Sequence, residues 1–123
     1  MSWSHYKNLI VWQKSMQLVT EAYTIVSKLP KEEIYVLSDQ IRRSAVSIPS
    51  NIAEGHGRNT EKEFKQFLSI AKASTQELET QLQICINVGY ISSEESEKAI
   101  SLCVEVEKML TKIIDTFSFS SND

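Results

Sequence analysis

The feature that most constrains this chain is a helical spacing of apolar residues that continues through almost its whole length. Apolar side chains recur every three or four residues, which is the period of one face of an α-helix, in four long segments. The 123 residues contain only two prolines and three glycines, and these fall mainly at the breaks between segments. The pattern predicts an all-α fold, an up-down-up-down antiparallel four-helix bundle forming one domain over residues 1–123.

The first predicted helix covers residues 8–29 and carries two apolar stripes. One stripe has the 3,4,3,4,3 spacing of a coiled-coil seam, and it consists of Leu9, Trp12, Met16, Val19, Tyr23 and Val26. The second stripe lies beside it and consists of Val11, Leu18, Ala22, Ile25 and Leu29. Together they predict a wide surface facing the core. Pro30 should end the helix, because the residue before a proline avoids helical geometry.

The other three predicted helices cover residues 31–55, 60–88 and 93–117. The core stripe of the second helix is Ile34, Leu37, Ile41, Ala45, Ile48 and Ile52. That helix ends at a Gly-His-Gly sequence, where Gly55 or Gly57 is expected to adopt the left-handed cap conformation. The third and fourth helices open with capping-box patterns, Thr60 with Glu63 and Ser92 with Glu95, and Gly89 is expected to cap the third helix.

The second helix also carries a polar arc, about a third of a turn from its core stripe. The arc consists of Gln40, Arg43, Ser47, Asn51 and Glu54, with Ser44 beside it. Serine and asparagine are poor helix formers, so an ordinary solvated surface does not call for them. We interpret the arc as an oligomer interface or a polar network between closely packed helices; the alternative is a solvated face of chance composition. Pro49 should bend this helix without ending it.

Charge is distributed unevenly along a chain whose net charge is −3. Residues 40–75 carry a net charge of +3, whereas residues 76–123 carry −6. This balance argues against general coating of nucleic acid but permits one local basic patch. The candidate nucleic-acid-binding residues are Arg42, Arg58, Lys62, Lys65 and Lys72. Solvated lysines are ordinary, so a plain surface is the alternative.

No motif with a catalytic mechanism is found in the sequence. It has no P-loop, no dinucleotide-binding glycine pattern and no Glu-x-x-His pair, and neither histidine has a second ligand at metal spacing. We therefore expect no catalytic residues, metal or cofactor. Cys85 and Cys103 lie too far apart along a predicted hairpin for a disulfide, so both should be free and buried. No signal peptide or apolar run of about 18 residues is present, which predicts a cytoplasmic protein without membrane contact.

Several stretches of the chain resemble one known family. They are LIVWQKSMQLV (9–19), the segment from LPKEEIYVLSD through QIRRSAVSIPSNIAEGHGR (29–58), EFKQFLSIAKASTQELETQL (63–82) and VGYI (88–91). Together they are similar to the 23S rRNA intervening-sequence proteins, a family related to the accessory variability determinants of diversity-generating retroelements. The resemblance covers residues from about 6 to 110, and QIRRSAVSIPSNIAEG is its most specific part.

The resemblance implies a small bacterial protein that forms a ring-shaped homopentamer of four-helix bundles. The retroelement relatives are markedly basic and associate with nucleic acid and a reverse transcriptase; this chain differs from them in its negative net charge. We therefore expect a non-enzymatic accessory or scaffold protein in a nucleoprotein setting, with RNA or DNA at the basic patch. The alternative is a protein-binding scaffold without nucleic acid, whose acidic fourth helix meets a basic partner such as a reverse transcriptase.

The polar arc of the second helix yields the first prediction. Arg43→Glu and Asn51→Leu should weaken assembly more than helicity, because each removes a hydrogen-bonding group from the arc and leaves the apolar core stripe intact. Analytical ultracentrifugation measures the assembly, and circular dichroism measures the helicity. Unchanged oligomers for both variants would contradict the placement of a subunit contact on this arc.

Overall fold

All regular structure in the molecule is helical within the range that the computed structural model describes, residues 5–118. The predicted domain of residues 1–123 extends beyond that range at both ends. The elements are a 3-10 turn at Tyr6–Asn8, α1 at Ile10–Val26, a second 3-10 turn at Lys31–Glu33, α2 at Leu37–His56, α3 at Glu61–Asn87 and α4 at Ser93–Ser118. The prediction of a one-domain, all-α fold with four helices is confirmed.

The four helices pack in a closed cycle in which α1 contacts α2 and α4, and α3 contacts the same two helices from the other side. Neighbouring helices run antiparallel. As residue numbers rise along one helix, the numbers of the contacting residues on the next helix fall. On α2 and α3, Ser47 meets Ser74, and Gly55 lies beside Phe67. On α1 and α4 the ion pairs are Lys14 with Glu105 and Glu21 with Lys98. The apolar core fills the space between the helices.

The structure corrects the expected orientation of α1. The residues it buries are Val11, Ser15, Leu18, Ala22 and Ile25, which include most of the second apolar stripe. The coiled-coil-like stripe lies partly outside the core, since Met16 is 42% exposed and Tyr23 is 45% exposed. Two adjacent apolar stripes satisfy the same helical period, so periodicity alone does not say which of them faces the core.

The connection between α1 and α2 is longer than predicted. Tight turns from Val26 to Leu29 end α1 three residues early, ahead of Pro30. α2 begins only at Leu37, after non-helical backbone dihedrals at Val36, and the Leu37 amide donates to a carboxylate oxygen of Glu33 at 3.3 Å. Ile34, expected in the core, is 46% exposed.

The two glycines at the end of α2 do not have the expected left-handed conformation. Only Gly89 has a positive φ among the described residues, 83°, and it follows α3 as predicted. Gly55 is buried inside α2, where a Cβ atom would lie 2.6 Å from the Cβ of Phe67 and 3.0 Å from a ring carbon of Phe64. Gly57 caps α2 with helical dihedrals. Gly55 is therefore needed for the close approach of α3, which a glycine-terminated sequence pattern does not reveal.

One of the two predicted capping boxes forms completely. At the start of α3 the Glu63 amide donates to the hydroxyl of Thr60 at 3.1 Å, but the Glu63 carboxylate accepts from that same hydroxyl, also at 3.1 Å, and not from the Thr60 amide. At the start of α4 the exchange is reciprocal, with the Glu95 amide donating to Ser92 Oγ at 3.0 Å and the Ser92 amide donating to Glu95 Oε1 at 2.9 Å. The hydrogen bond from the Ser92 amide is the main reason why the pKa of Glu95 is lowered, with Lys28 adding to it.

The buried glycine of α2 yields a matched pair of variants. Gly55→Ala should reduce the free energy of unfolding by about 1–3 kcal/mol, because its methyl group has no room against Phe67. Gly57→Ala should change stability little or raise it by about 0.4–1 kcal/mol, since the nearest atom to its Cβ is 3.6 Å away and its φ is negative. Urea denaturation of both proteins tests this; equal losses would contradict the packing role of Gly55.

Candidate subunit contact and nucleic-acid surface

The centre of the polar arc takes part in a hydrogen-bonded network between α2 and α3. Ser47 Oγ and Ser74 Oγ are 2.8 Å apart, and Asn51 Nδ2 donates to the carbonyl and the hydroxyl oxygens of Ser47 at 2.8 and 2.9 Å. Ser74 is buried, and the other two residues are half-buried. These bonds satisfy polar groups where the two helices meet closely. The Asn51→Leu variant therefore also removes two hydrogen bonds within the subunit.

The remaining residues of the arc lie at the surface. Gln40 is exposed, and the side chain of Arg43 is 80% exposed while its Nε contacts Asp39 at 2.8 Å. Glu54 accepts a hydrogen bond from Arg58 at 2.7 Å. Exposed pairs of this kind, one turn apart on a helix, contribute little to stability. The fold of the single subunit therefore does not explain these surface residues, and a contact with a second subunit stays a prediction.

One buried polar group in the same part of the bundle was not found from the sequence. Gln81 lies two helical turns beyond Ser74 on α3 and is 5% exposed. Its carbonyl oxygen has no hydrogen-bond partner among the described residues. Leaving a buried acceptor unsatisfied is costly, so this position is a weak point in the packing of α3. The only sequence indication was a glutamine between the core residues of a regular apolar stripe.

Three of the five candidate nucleic-acid-binding residues lie on one face of α3. Lys62, Lys65 and Lys72 fall within about 80° of the helical wheel of α3. Arg58 precedes them in the turn between α2 and α3, but its guanidinium lies 4.6 Å from the centre of the Phe67 ring, and Phe67 is about 140–160° from the lysines on the same wheel. Arg58 therefore packs on a different side of α3 from the lysines. Lys62 is exposed, and the other two lysines are half-buried. We call Lys62, Lys65 and Lys72 the basic surface.

Arg42 is not part of the basic surface. It precedes Arg58 by sixteen residues, which is about 24 Å along α2 at 1.5 Å per residue. Its guanidinium reaches back to the carbonyl of Ile34 at 3.4 Å, in the connection before α2. Arg42 and Arg58 therefore cannot hold the same phosphate group. Arg42 also lines the groove beside Tyr23 of α1, so it faces away from the lysines of α3.

Aromatic rings cluster at the end of the bundle that carries Arg58. Each ring contacts the next, with centroid distances of 4.6 to 6.4 Å, in the order His5, Tyr6, His56, Phe64 and Phe117, and Trp12 also contacts Tyr6. The cluster joins all four helix ends that meet there. The two histidines look unrelated in the sequence, although an up-down bundle necessarily brings the start of α1, the end of α2, the start of α3 and the end of α4 together.

The two cysteines are free and buried, as predicted. Burial is the main cause that raises the pKa of Cys103 to about 12, with Glu79 and Glu107 adding to it. Burial also raises the pKa of Cys85, to which Glu33 contributes. A raised pKa keeps the thiol protonated, so neither sulfur is suited to act as a nucleophile.

The described part of the chain offers neither a metal site nor a membrane span. No group of three His, Cys, Asp or Glu side chains within residues 5–118 could hold a metal ion. None of the helices in that range is long and apolar enough to cross a membrane.

These features define a small four-helix bundle with a polar contact between α2 and α3 and a basic surface along one face of α3. The chain belongs to the family of 23S rRNA-intervening sequence proteins, whose sequence pattern matches residues 7–112. This confirms the family resemblance seen in the sequence. None of the curated proteins matches this chain.

A solved structure supports the fold independently. The chain is similar to a protein of unknown function from the S23 ribosomal protein family of Bacteroides thetaiotaomicron VPI-5482, with 30% sequence identity and a TM-score of 0.79. The similarity covers 85% of this chain and 97% of the Bacteroides protein.

The buried thiols yield a prediction about reactivity and pH. In the native protein at pH 8, both cysteines should react with Ellman's reagent far more slowly than in guanidinium chloride, because they are buried and their raised pKa values leave little thiolate. Since Cys103 releases its proton at about pH 9 when unfolded and about pH 12 when folded, its contribution to stability should disappear as the pH rises through that interval. Fast native reaction of either thiol would contradict the burial.

Proposed function

We propose that this protein is a non-enzymatic accessory protein that assembles as a homopentamer in the cytoplasm and acts in a nucleoprotein setting. Each subunit contacts RNA or DNA through the basic surface. The observation that carries this proposal is the grouping of Lys62, Lys65 and Lys72 on one face of α3, in a chain whose net charge is negative. The family name refers to intervening sequences of 23S rRNA, which makes structured RNA the first ligand to test.

The electrostatics of the basic surface support contact with phosphate groups. The three lysines place their positive charges along one face of α3, and such charges bind phosphates chiefly by releasing condensed counterions. Arg58 packs its guanidinium on Phe67 and pairs with Glu54, which fixes its position and offsets its charge. A ring of five subunits repeats this surface five times, which strengthens binding to a long polyanion through effective concentration.

A second candidate function is that of a protein-binding scaffold without nucleic acid. It is favoured by the acidic character of residues 76–123, whose net charge is −6. Glu94, Glu95, Glu97 and Glu105 of α4 are all exposed. A basic protein such as a reverse transcriptase would be attracted to this helix by charge complementarity.

Removal of charge from the basic surface distinguishes the two functions. The triple variant Lys62→Gln, Lys65→Gln and Lys72→Gln should bind a structured RNA hairpin at least about tenfold more weakly at low salt. The slope of log affinity against log salt should fall by about 0.7–0.9 for each phosphate that the variant no longer binds. Fluorescence anisotropy at several salt concentrations measures both quantities, and a DNA duplex of the same sequence distinguishes RNA from DNA.

The matched control removes the same charge elsewhere. Lys31, Lys108 and Lys112 are exposed and lie outside the basic surface, so their replacement by glutamine should leave affinity within about twofold. Equal effects in both triple variants would mean that net charge alone determines binding. Absence of binding by the unmodified protein would refute the nucleic-acid contact and favour the scaffold, which should then co-purify with a basic protein irrespective of the three lysines.

A further inference from the structure

A regular row of apolar side chains lies outside the core where α1 meets α2. Met16, Val19 and Tyr23 follow the seam spacing of α1, and Val46 of α2 lies across a shallow groove from Tyr23. Met16, Tyr23 and Val46 are each between 42% and 45% exposed. Single exposed apolar residues are ordinary, but a row with heptad spacing on a long helix is typical of a surface that receives another helix. We call these four residues the outer stripe.

A second apolar row runs along α3. Ile70 and Ile84 are 48% and 43% exposed, and they are fourteen residues apart, which is two heptads. Glu77 lies midway between them and is exposed. This row borders the contact between α2 and α3, because Ser74, three residues before Glu77, meets Ser47 there. We call Ile70, Glu77 and Ile84 the isoleucine row.

We propose that the outer stripe of one subunit packs against the isoleucine row of a second copy of this chain. The inference rests on the homopentamer of the proposed function and names the two faces that would build it. The spacing of the rows agrees, since Met16 and Tyr23 are one heptad apart, and so are the successive members of the isoleucine row. Matching heptads allow the knobs of one helix to enter the holes of another.

The charges beside the two rows are complementary. The shallow groove of the outer stripe has three charged lining residues, Asp39, Arg42 and Arg43. Because Asp39 pairs with Arg43, the groove has a net positive charge from Arg42. Glu77 is the charged residue at the middle of the isoleucine row, so packing of the rows brings a carboxylate towards guanidinium groups. An arginine is well suited to such a contact, because it can form two parallel hydrogen bonds with a carboxylate. Two copies with like charges on both rows would repel each other.

The positions of the two rows favour a closed ring. The rows differ, so the contact is head-to-tail, which generates either a ring or an open filament. They lie on adjacent sides of the bundle, one where α1 meets α2 and the other where α2 meets α3. Adjacent sides meet at roughly a right angle, so each added subunit turns the assembly sharply, and about four or five copies close a ring. α2 then lies at the inner edge of that ring.

A pair of valine variants tests the outer stripe. Val46→Glu should raise the concentration at which the assembly dissociates at least about tenfold, whereas Val104→Glu should leave it within about twofold. Val104 is a matched control because it is 38% exposed in the middle of α4, outside both rows. Analytical ultracentrifugation measures dissociation, and circular dichroism checks that both variants keep the helicity of the unmodified protein.

A charge exchange tests the pairing of the two rows. Glu77→Arg should weaken assembly as Arg43→Glu does, and the double variant should recover most of the affinity between subunits. Recovery is not expected if either residue acts only within its own subunit, because the two helices present them on separate rows. Two weakened single variants without recovery would overturn the proposed pairing.

The same experiments separate this inference from the proposed function. A monomeric mass for the unmodified protein would refute the homopentamer and the contact together. An assembled Val46→Glu variant would overturn the contact alone. Dissociation by Val104→Glu, but not by Val46→Glu, would also overturn it and would locate the subunit contact on α4.

Discussion

The close contact of α2 with α3 is the constraint on which the rest of this structure depends. Gly55 lets the Phe64 and Phe67 side chains reach the backbone of α2, and the Ser47–Ser74 hydrogen bond repeats the close approach two turns away. Small side chains at such positions reduce the distance between the helix axes and so fix the axial offset of one helix against the other. The same contact positions the turn that carries Arg58, because Arg58 packs on Phe67 and pairs with Glu54 of α2.

The opposite end of the bundle is held by a different interaction. There the hydroxyl of Tyr90 donates to Glu33 at 2.7 Å and joins the connection before α2 to the turn before α4. This hydrogen bond is the main cause that raises the pKa of Tyr90. Contacts between aromatic rings therefore hold the helices together at one end of the molecule, and a hydrogen bond to a carboxylate does so at the other. Any partner that binds at an end of the bundle meets a different chemistry depending on which end it approaches.

The elements that the sequence predicts best are those in which local chemistry and the apolar period agree. In α2, every residue of the predicted core stripe from Leu37 to Ile52 is buried, and the Ser92–Glu95 capping box forms where expected. The sequence was least informative where one pattern permits two structures. A glycine near a helix end serves as a cap at Gly89 but as a packing site at Gly55, and only the neighbouring Phe67 distinguishes them. The candidate sites are predicted less completely, because the distance from Arg42 to the lysines depends on tertiary structure.

The two apolar stripes of α1 have a consequence for how firmly this helix is specified. A rotation of α1 about its own axis by roughly a quarter turn or more would exchange one stripe for the other with little change in buried apolar area. The pairing of Lys14 with Glu105 and of Glu21 with Lys98 of α4 opposes such a rotation. Partly exposed ion pairs are weak. A partner that buries Met16 and Tyr23 would therefore add to what holds α1 in its present rotational setting.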